Sequence, residues 1–227
     1  MTKRNTILKF SSFVMAASGL VILFSVIWPI VSYENSTNNT GSFISPIISE
    51  ESGDQESFSE VDYTKASNWF VGGAAKEAFS ASNISYYTLS IPKLRIENAT
   101  VAIGGEELSE HIIQYPGTAL PGKLGNAVIF GHSILPLFYN PKSYLSIFSL
   151  LPTLEKGDEI TVNYDGITYK YEVESMFEVT PTDIQVLDQN KSDSFLTLVT
   201  CVPPGDPRKP KRLIVRARVV PLTANLR

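Results

Sequence analysis

Residues 195–220 read FLTLVTCVPPGDPRKPKRLIVRARVV. An apolar, β-branched run ends at Cys201, the only cysteine in the chain. A Pro/Gly-rich turn follows, and a second β-branched run opens at Arg212. Such runs bounded by turn residues read as two strands. The second alternates: Leu213, Val215, Ala217 and Val219 share one face and read as its core side. Arg212, Ile214, Arg216 and Arg218 share the other, where Arg216 and Arg218 read as a solvated outward face. Arg212 stands apart because it opens the strand, nearest the turn that follows the thiol.

Working outward from this stretch, the same grammar recurs. YTLSIPKLRI, ATVAI, NAVIFGHS, DEITVNY and ITYKYEVESMFEV are short apolar or alternating runs cut by Gly, Pro, Asn and Asp. Asp165-Gly166 between two alternating runs is a hairpin signal. SYLSIFSLLPTLEKGD is the most helix-like piece. Seven or eight short strands with one or two small helices predict a closed or nearly closed β-barrel. No glycine-rich phosphate loop lies between a strand and a helix.

The chain has 227 residues, 23 acidic and 19 basic. The slight acidity argues against a nucleic-acid binder. Charge is uneven, however. Lys3, Arg4 and Lys9 precede an uncharged run from about Phe10 to Val31, long enough to span a bilayer. The basic flank predicts a cytoplasmic N-terminus. Trp28 suits the outer interface. The rival reading is a cleaved signal peptide, but the run is long for one and lacks a small-x-small cleavage site. A stretch rich in Ser, Asn, Thr and acids follows to about Ser80 and reads as a flexible tether, with a short helix near Ser67–Phe79. The expected organisation is therefore a cytoplasmic stub and anchor over 1–32, an extracellular tether over 33–80 and a globular domain over 81–227.

A lone thiol on an outward-facing domain is a buried residue, an intermolecular link or a nucleophile. A nucleophilic thiolate needs an imidazole or a positive charge nearby. The chain holds two histidines. His111 follows EELSE and reads as a solvated loop residue. His132 follows the run NAVIF at a strand end, where it can face a cleft. Two histidines and one cysteine without close spacing make a poor zinc site, and the acids show no EF-hand spacing. No metal and no cofactor are expected. A guanidinium cannot lose its proton and can stabilise an oxyanion, which fits Arg212. Arg208, in the turn, stays open as the alternative.

TLVTC (Thr197 to Cys201), a loop and RLIVR, with the upstream GNAVIFGHS, resemble the signature of the sortases, membrane-anchored cysteine transpeptidases of the bacterial surface. YTLSIPKLRI resembles the start of that family's barrel and LEKGDEITV its segment after the histidine. The resemblance runs from about Tyr86 to Val219. It implies an eight-stranded β-barrel with catalytic Cys201, His132 and Arg212, and with Thr200 orienting or assisting the oxyanion site. It also implies cleavage of an LPxTG-like motif at the C-terminus of surface proteins, a thioacyl intermediate on Cys201 and transfer to an amine of the cell envelope. Ile184, Val186 and Leu187, before the cysteine strand, are candidates for the motif pocket or for core packing. The absence of a hydrophobic C-terminal segment and of an aromatic Asp-Pro motif argues for an anchoring rather than a pilin-polymerising member. Two other readings stay open: a cysteine hydrolase using the same residues, and a non-catalytic surface module with a buried thiol.

Overall fold

Asp165 and Gly166 both adopt left-handed φ, 51° and 73°. A two-residue type I′ hairpin turn requires this, because its twist matches that of the strands it joins. Those strands are β5 (Glu159–Tyr164) and β6 (Ile167–Val179). The other strands of the computed structural model are β1 (Ser85–Ile91), β2 (Ile96–Ile103), β3 (Ile112–Gln114), β4 (Gly125–Phe130), β7 (Ser194–Val202) and β8 (Lys211–Val219). The structure describes residues 2–37, 62–79 and 85–221. The strands close in the order β1-β2-β3-β4-β7-β8-β6-β5, with β1 pairing β5 to complete the ring. β2–β3 and β4–β7 are parallel, and the other pairs are antiparallel. Closure leaves no unpaired edge. This is the mainly β barrel that the strand pattern predicts, closed and with the eight strands that the resemblance implies.

Leu89, Ile91, Ile160, Val162, Tyr171, Leu196, Leu198, Val215 and Ala217 are almost wholly buried on the inner face. Leu213 and Ala217 fall on the core face expected of β8, while Val219, at the strand end, is only partly buried. On the other parity Arg218 is exposed, as read from sequence, but the remaining positions depart from an outward face. Arg212 and Ile214 are fully buried, and Arg216 is half-buried. The cause is a second layer. Residues 62–79, read as the end of a tether, pack on the outside of the barrel with Trp69, Phe70 and Phe79 buried. They join Ala102, Ile113, Val128, Phe130, Val199, Cys201 and Ile214 in one apolar cluster. Backbone bonds fasten the layer: Ala66 N–H donates to Glu106 (3.1 Å), Gly105 N–H to Phe79 (2.7 Å) and Val71 N–H to Pro181 (2.9 Å). β7 is thus covered on both faces, with all nine residues buried.

The segment 143–158 forms turns and one 3-10 turn, Leu151–Thr153, rather than an α-helix. Pro152 removes a ladder donor, and Phe148 N–H donates to the His132 carbonyl (2.9 Å) instead of a helical partner.

The N-terminal residues form helix α1 (Thr2–Thr37). Within it Ser12–Tyr33, 22 residues of mean hydropathy 2.3, has none of its apolar surface buried. At 1.5 Å per residue it spans about 33 Å, enough for one membrane crossing. The helix runs five residues past the boundary expected at 32. Of the tether expected over 33–80, residues 38–61 lie outside the described residues.

Candidate active site

The strand register brings the thiol and the guanidinium together. Cys201 on β7 pairs directly with Arg212 on β8. Directly opposed residues share a face and stand about 5 Å apart. On the other side of β7, Phe130 of β4 pairs with Val199, and Gly131 N–H continues the ladder to the Val199 carbonyl (3.2 Å). Two residues further along each strand, on the same face, His132 comes abreast of Cys201. The Ser133 hydroxyl locks this arrangement by donating to the Cys201 carbonyl (2.6 Å). The β4 end, β7 and the β8 start therefore present His132, Cys201 and Arg212 in a row on the outer face.

Gly131 makes the close approach possible. A Cβ there would sit 2.5 Å from the Phe148 ring. Thr200, on the opposite face of β7 from the thiol, donates its hydroxyl to the Gly131 carbonyl (2.8 Å). The geometry therefore ties Thr200 to the approach to His132. Its hydroxyl does not stand at the thiol, so of the two functions the resemblance suggests, it has the geometry for orientation only.

Arg212 is fully buried, with no ion pair to a carboxylate among the described residues. Its Nε donates to the Trp69 carbonyl (3.1 Å), and Nη1 donates to the carbonyls of Lys209 (2.8 Å) and Lys211 (3.1 Å). The guanidinium also lies over the rings of Tyr63 (5.4 Å) and Trp69 (5.6 Å), a cation–π arrangement. Two buried atoms of the row have no hydrogen-bond partner among the described residues, Arg212 Nη2 and His132 Nε2. Leaving such a group unpaired costs roughly 1–3 kcal/mol, so the row holds donor and acceptor capacity that the resting fold does not use. Arg208 is differently placed. It grips Asp206 through Nε (3.0 Å) and Nη2 (2.6 Å), with its own side chain largely in solvent.

Residues 62–79 cover the row. The Trp69 ring stacks on Phe130 at 5.2 Å and leans on His132 at 5.9 Å. Cys201 is only 2% exposed. Burial pushes its thiol pKa up, opposed by the charges of Arg212 and Lys209. Burial also lowers the His132 pKa to about 4, with Lys209 adding to the drop and Asp62 opposing it. In this covered state both groups are neutral at pH 7.

The remaining sequence candidates divide. Val186 is buried in the outer apolar cluster and Leu187 packs against it, while Ile184 is 42% exposed. His111 is not simply solvated: its ring meets Tyr86 and Tyr144 edge-on at 5.3 and 5.9 Å. Sequence reasoning missed Trp69, Tyr63 and Lys209. The available signal was the Trp69-Phe70 pair, two large rings inside an otherwise small and polar stretch.

A sortase domain model matches residues 89–220. Among curated proteins, a sortase A of Streptococcus agalactiae is 29% identical over 117 residues, 52% of this chain and 45% of that protein. A sortase A of Staphylococcus aureus is 33% identical over 99 residues, 38% of this chain and 47% of that protein. The chain thus spans about half the length of the curated relatives it matches. Among solved structures, sortase A from Corynebacterium diphtheriae superposes with a TM-score of 0.53 at 30% identity, covering 62% of each chain. A Clostridium perfringens sortase D5 transpeptidase gives 0.51 at 27% identity, covering 64% of this chain and 93% of that one. The domain match takes in more than half the chain, including all three residues of the row, and the chain belongs to the sortase family.

Proposed function

We propose that the chain is a membrane-anchored cysteine transpeptidase acting on an LPxTG-like sorting motif of surface proteins. The observation that supports this most is the row itself. A lone thiol stands between an imidazole and a buried guanidinium, each with a polar atom left unpaired. That is the equipment for attack on a carbonyl, stabilisation of the resulting oxyanion and management of one proton.

The sulfur of Cys201, as thiolate, attacks the scissile carbonyl carbon, and the displaced electron pair becomes an oxyanion held by Arg212. Collapse breaks the C–N bond. His132, as imidazolium, donates its proton to the departing amine, leaving a thioacyl enzyme. An amine of the cell envelope then attacks this carbonyl. Neutral His132 takes the amine proton, and the C–S bond breaks with its electrons on sulfur. Covalent capture conserves the acyl energy, so a new amide forms without ATP. The apolar outer face along β4 and β7, with Val186 and Leu187 beside it and Ile184 at its rim, is the acyl-side groove. Residues 62–79 now fill that face and must leave it for peptide to enter. The Trp69 ring lies against His132 and over the Arg212 guanidinium, so cover and substrate exclude one another.

In this reading residues 1–32 anchor the enzyme, with Lys3, Arg4 and Lys9 on the cytoplasmic side. The stretch from 33 gives reach, and the catalytic unit faces outward. Incubation with a sorting-motif peptide and a primary amine, followed by mass spectrometry, tests the proposal. The transpeptidation product and a thioacyl adduct should form, and Cys201→Ala should give neither. Hydrolysis product alone, at saturating amine, would favour a cysteine hydrolase.

A further inference from the structure

We propose that Gln189 and Asn126 form a reciprocal clasp that presets the far end of the acyl-side groove, which makes both of them positioning residues for peptide selection. This rests on the transpeptidase reading above and adds the device that fixes its specificity. Alternate residues of a strand share a face, so on β4 Asn126, Val128 and Phe130 lead along the outer face toward His132. On β7 Thr197 and Val199 lead to Cys201 in the same way. The middle of this face is apolar, with Val128, Phe130 and Val199 in the outer cluster. Its two ends are polar. The row of His132, Cys201 and Arg212 closes one end. Asn126 closes the other, about 20 Å from His132 at the rise of an extended strand.

At that end two carboxamides cross. Asn126 Nδ2 donates to the Val186 carbonyl (3.1 Å), and its Oδ1 accepts the Thr197 hydroxyl (2.6 Å). Gln189 answers from the loop before β7. Its Oε1 accepts from the backbone N–H of Asn126 (3.1 Å) and of Ala119 (3.0 Å). Its Nε2 donates to the carbonyls of Asn126 (3.0 Å) and Leu187 (2.8 Å). Both donors and both acceptor positions of this amide are thus used, all on backbone. Arg216, opposite Thr197 on β8, adds a longer contact from Nη2 to the Val186 carbonyl (3.4 Å). Gly125 leaves the space: a Cβ there would stand 3.0 Å from Gln189 Oε1, and its φ of 129° suits only glycine. The tied segment carries Ile184, Val186 and Leu187. It is a single 3-10 turn, Ile184–Leu187, which has little hold of its own. The clasp therefore sets where Val186 and Leu187 stand before a peptide arrives. The leucine that opens an LPxTG-like motif lies farthest upstream of the attacked carbonyl, so it is the residue that these two side chains meet.

The test uses the full chain in detergent and single-turnover acylation, with a sorting-motif peptide and a counterpart carrying alanine in place of the motif's leucine. Rates are counted per site that acylates, so a misfolded fraction drops out. Gln189→Met keeps the side-chain length and removes all four bonds. It should raise the half-saturating concentration of the leucine peptide about tenfold, because the competent groove is less populated. The saturating rate should stay within about twofold, since the row is untouched. The alanine peptide makes little use of the Val186–Leu187 wall, so its half-saturation should hardly move, and the preference for leucine should shrink by the same factor. A general loss of structure would weaken both peptides alike. Gln189→Glu keeps both accepted bonds and loses the donated ones, and it should move half-saturation and preference in the same direction. Unchanged half-saturation, an equal effect on the two peptides, or loss of acylation in both variants would overturn the clasp while leaving the transpeptidase intact. Absence of a thioacyl adduct from the parent chain would overturn the transpeptidase reading, and this inference with it.

Discussion

Trp69→Ala should expose Cys201. The side chain is fully buried between Phe130, His132 and the Arg212 guanidinium, and its indole N–H donates to the Tyr63 carbonyl (2.9 Å). The substitution leaves the Trp69 carbonyl in place, so the bond from Arg212 survives and only the side-chain contribution is removed. Truncating a buried large aromatic to alanine costs about 3–5 kcal/mol. The ring packs on the barrel's outer face, so most of that loss falls on attachment of residues 62–79 and little on the barrel interior. At about 1.4 kcal/mol per tenfold, the open population rises by roughly two to three orders of magnitude. The chain has one cysteine, so the labelling rate with an uncharged maleimide at constant pH reports that population without ambiguity. The variant should label at least about a hundredfold faster, the lower end of the range just derived, while the barrel's urea midpoint moves much less. Labelling within about threefold of the parent, well below the effect expected of any opening that releases the ring, would refute the idea that Trp69 holds the cover down.

Arg212→Ala should also loosen the cover, because the Trp69 carbonyl loses its donor, yet it should lower single-turnover acylation by roughly 10²–10³-fold if the guanidinium holds the oxyanion. Arg212→Lys should fall between, lacking the planar fork; acylation restored to the parent rate by lysine would count against that role. His132 is buried neutral, with a pKa of about 4 against 6.5 when free. Between those values the unfolded chain binds a proton that the folded chain refuses, so stability is full above pH 6.5 and falls by about 3 kcal/mol as pH drops to 4. Urea titrations across that window should show the slope, and His132→Gln should flatten it. Gly131→Ala would press a methyl into the Phe148 ring, and such overpacking costs about 1–3 kcal/mol. Its thermal midpoint should fall, and acylation with it, because the displaced backbone carries His132.

The barrel was legible because its strands obey local rules. Alternation in β5 and β6, the Asp165-Gly166 turn and the two β-branched runs flanking 203–210 each point to the same pairing. The Cys201–Arg212 register follows from that pairing, and His132 follows from its strand. What escaped the sequence is what tertiary contact alone decides. Residues 62–79 carry no sustained period, and only the adjacent Trp69-Phe70 pair hints locally at burial. They are ordered by an apolar outer face that the other strands build. The same cover explains why Arg212 is buried although its strand parity reads as outward. Likewise 143–158 has helical composition, but Pro152 and the His132 carbonyl divert its backbone donors. Lys209 sits in a turn at a left-handed φ of 46°, and only the folded turn shows where its ammonium goes.

The layer over Cys201 also bears on redox chemistry. Peroxide and related oxidants attack the thiolate rather than the thiol. A sulfenic acid formed at Cys201 would find no second cysteine in the chain to capture it as a disulfide, leaving it open to irreversible over-oxidation. With Cys201 2% exposed and its thiol pKa raised by burial, the idle molecule offers such reagents a neutral thiol under the layer that carries Trp69. Damage is then confined to the moments when the cover is off, and an arriving peptide shortens those moments by capping the sulfur with an acyl group. The lifetime of the molecule in an oxidising medium should therefore follow the fraction of time it stands open and empty.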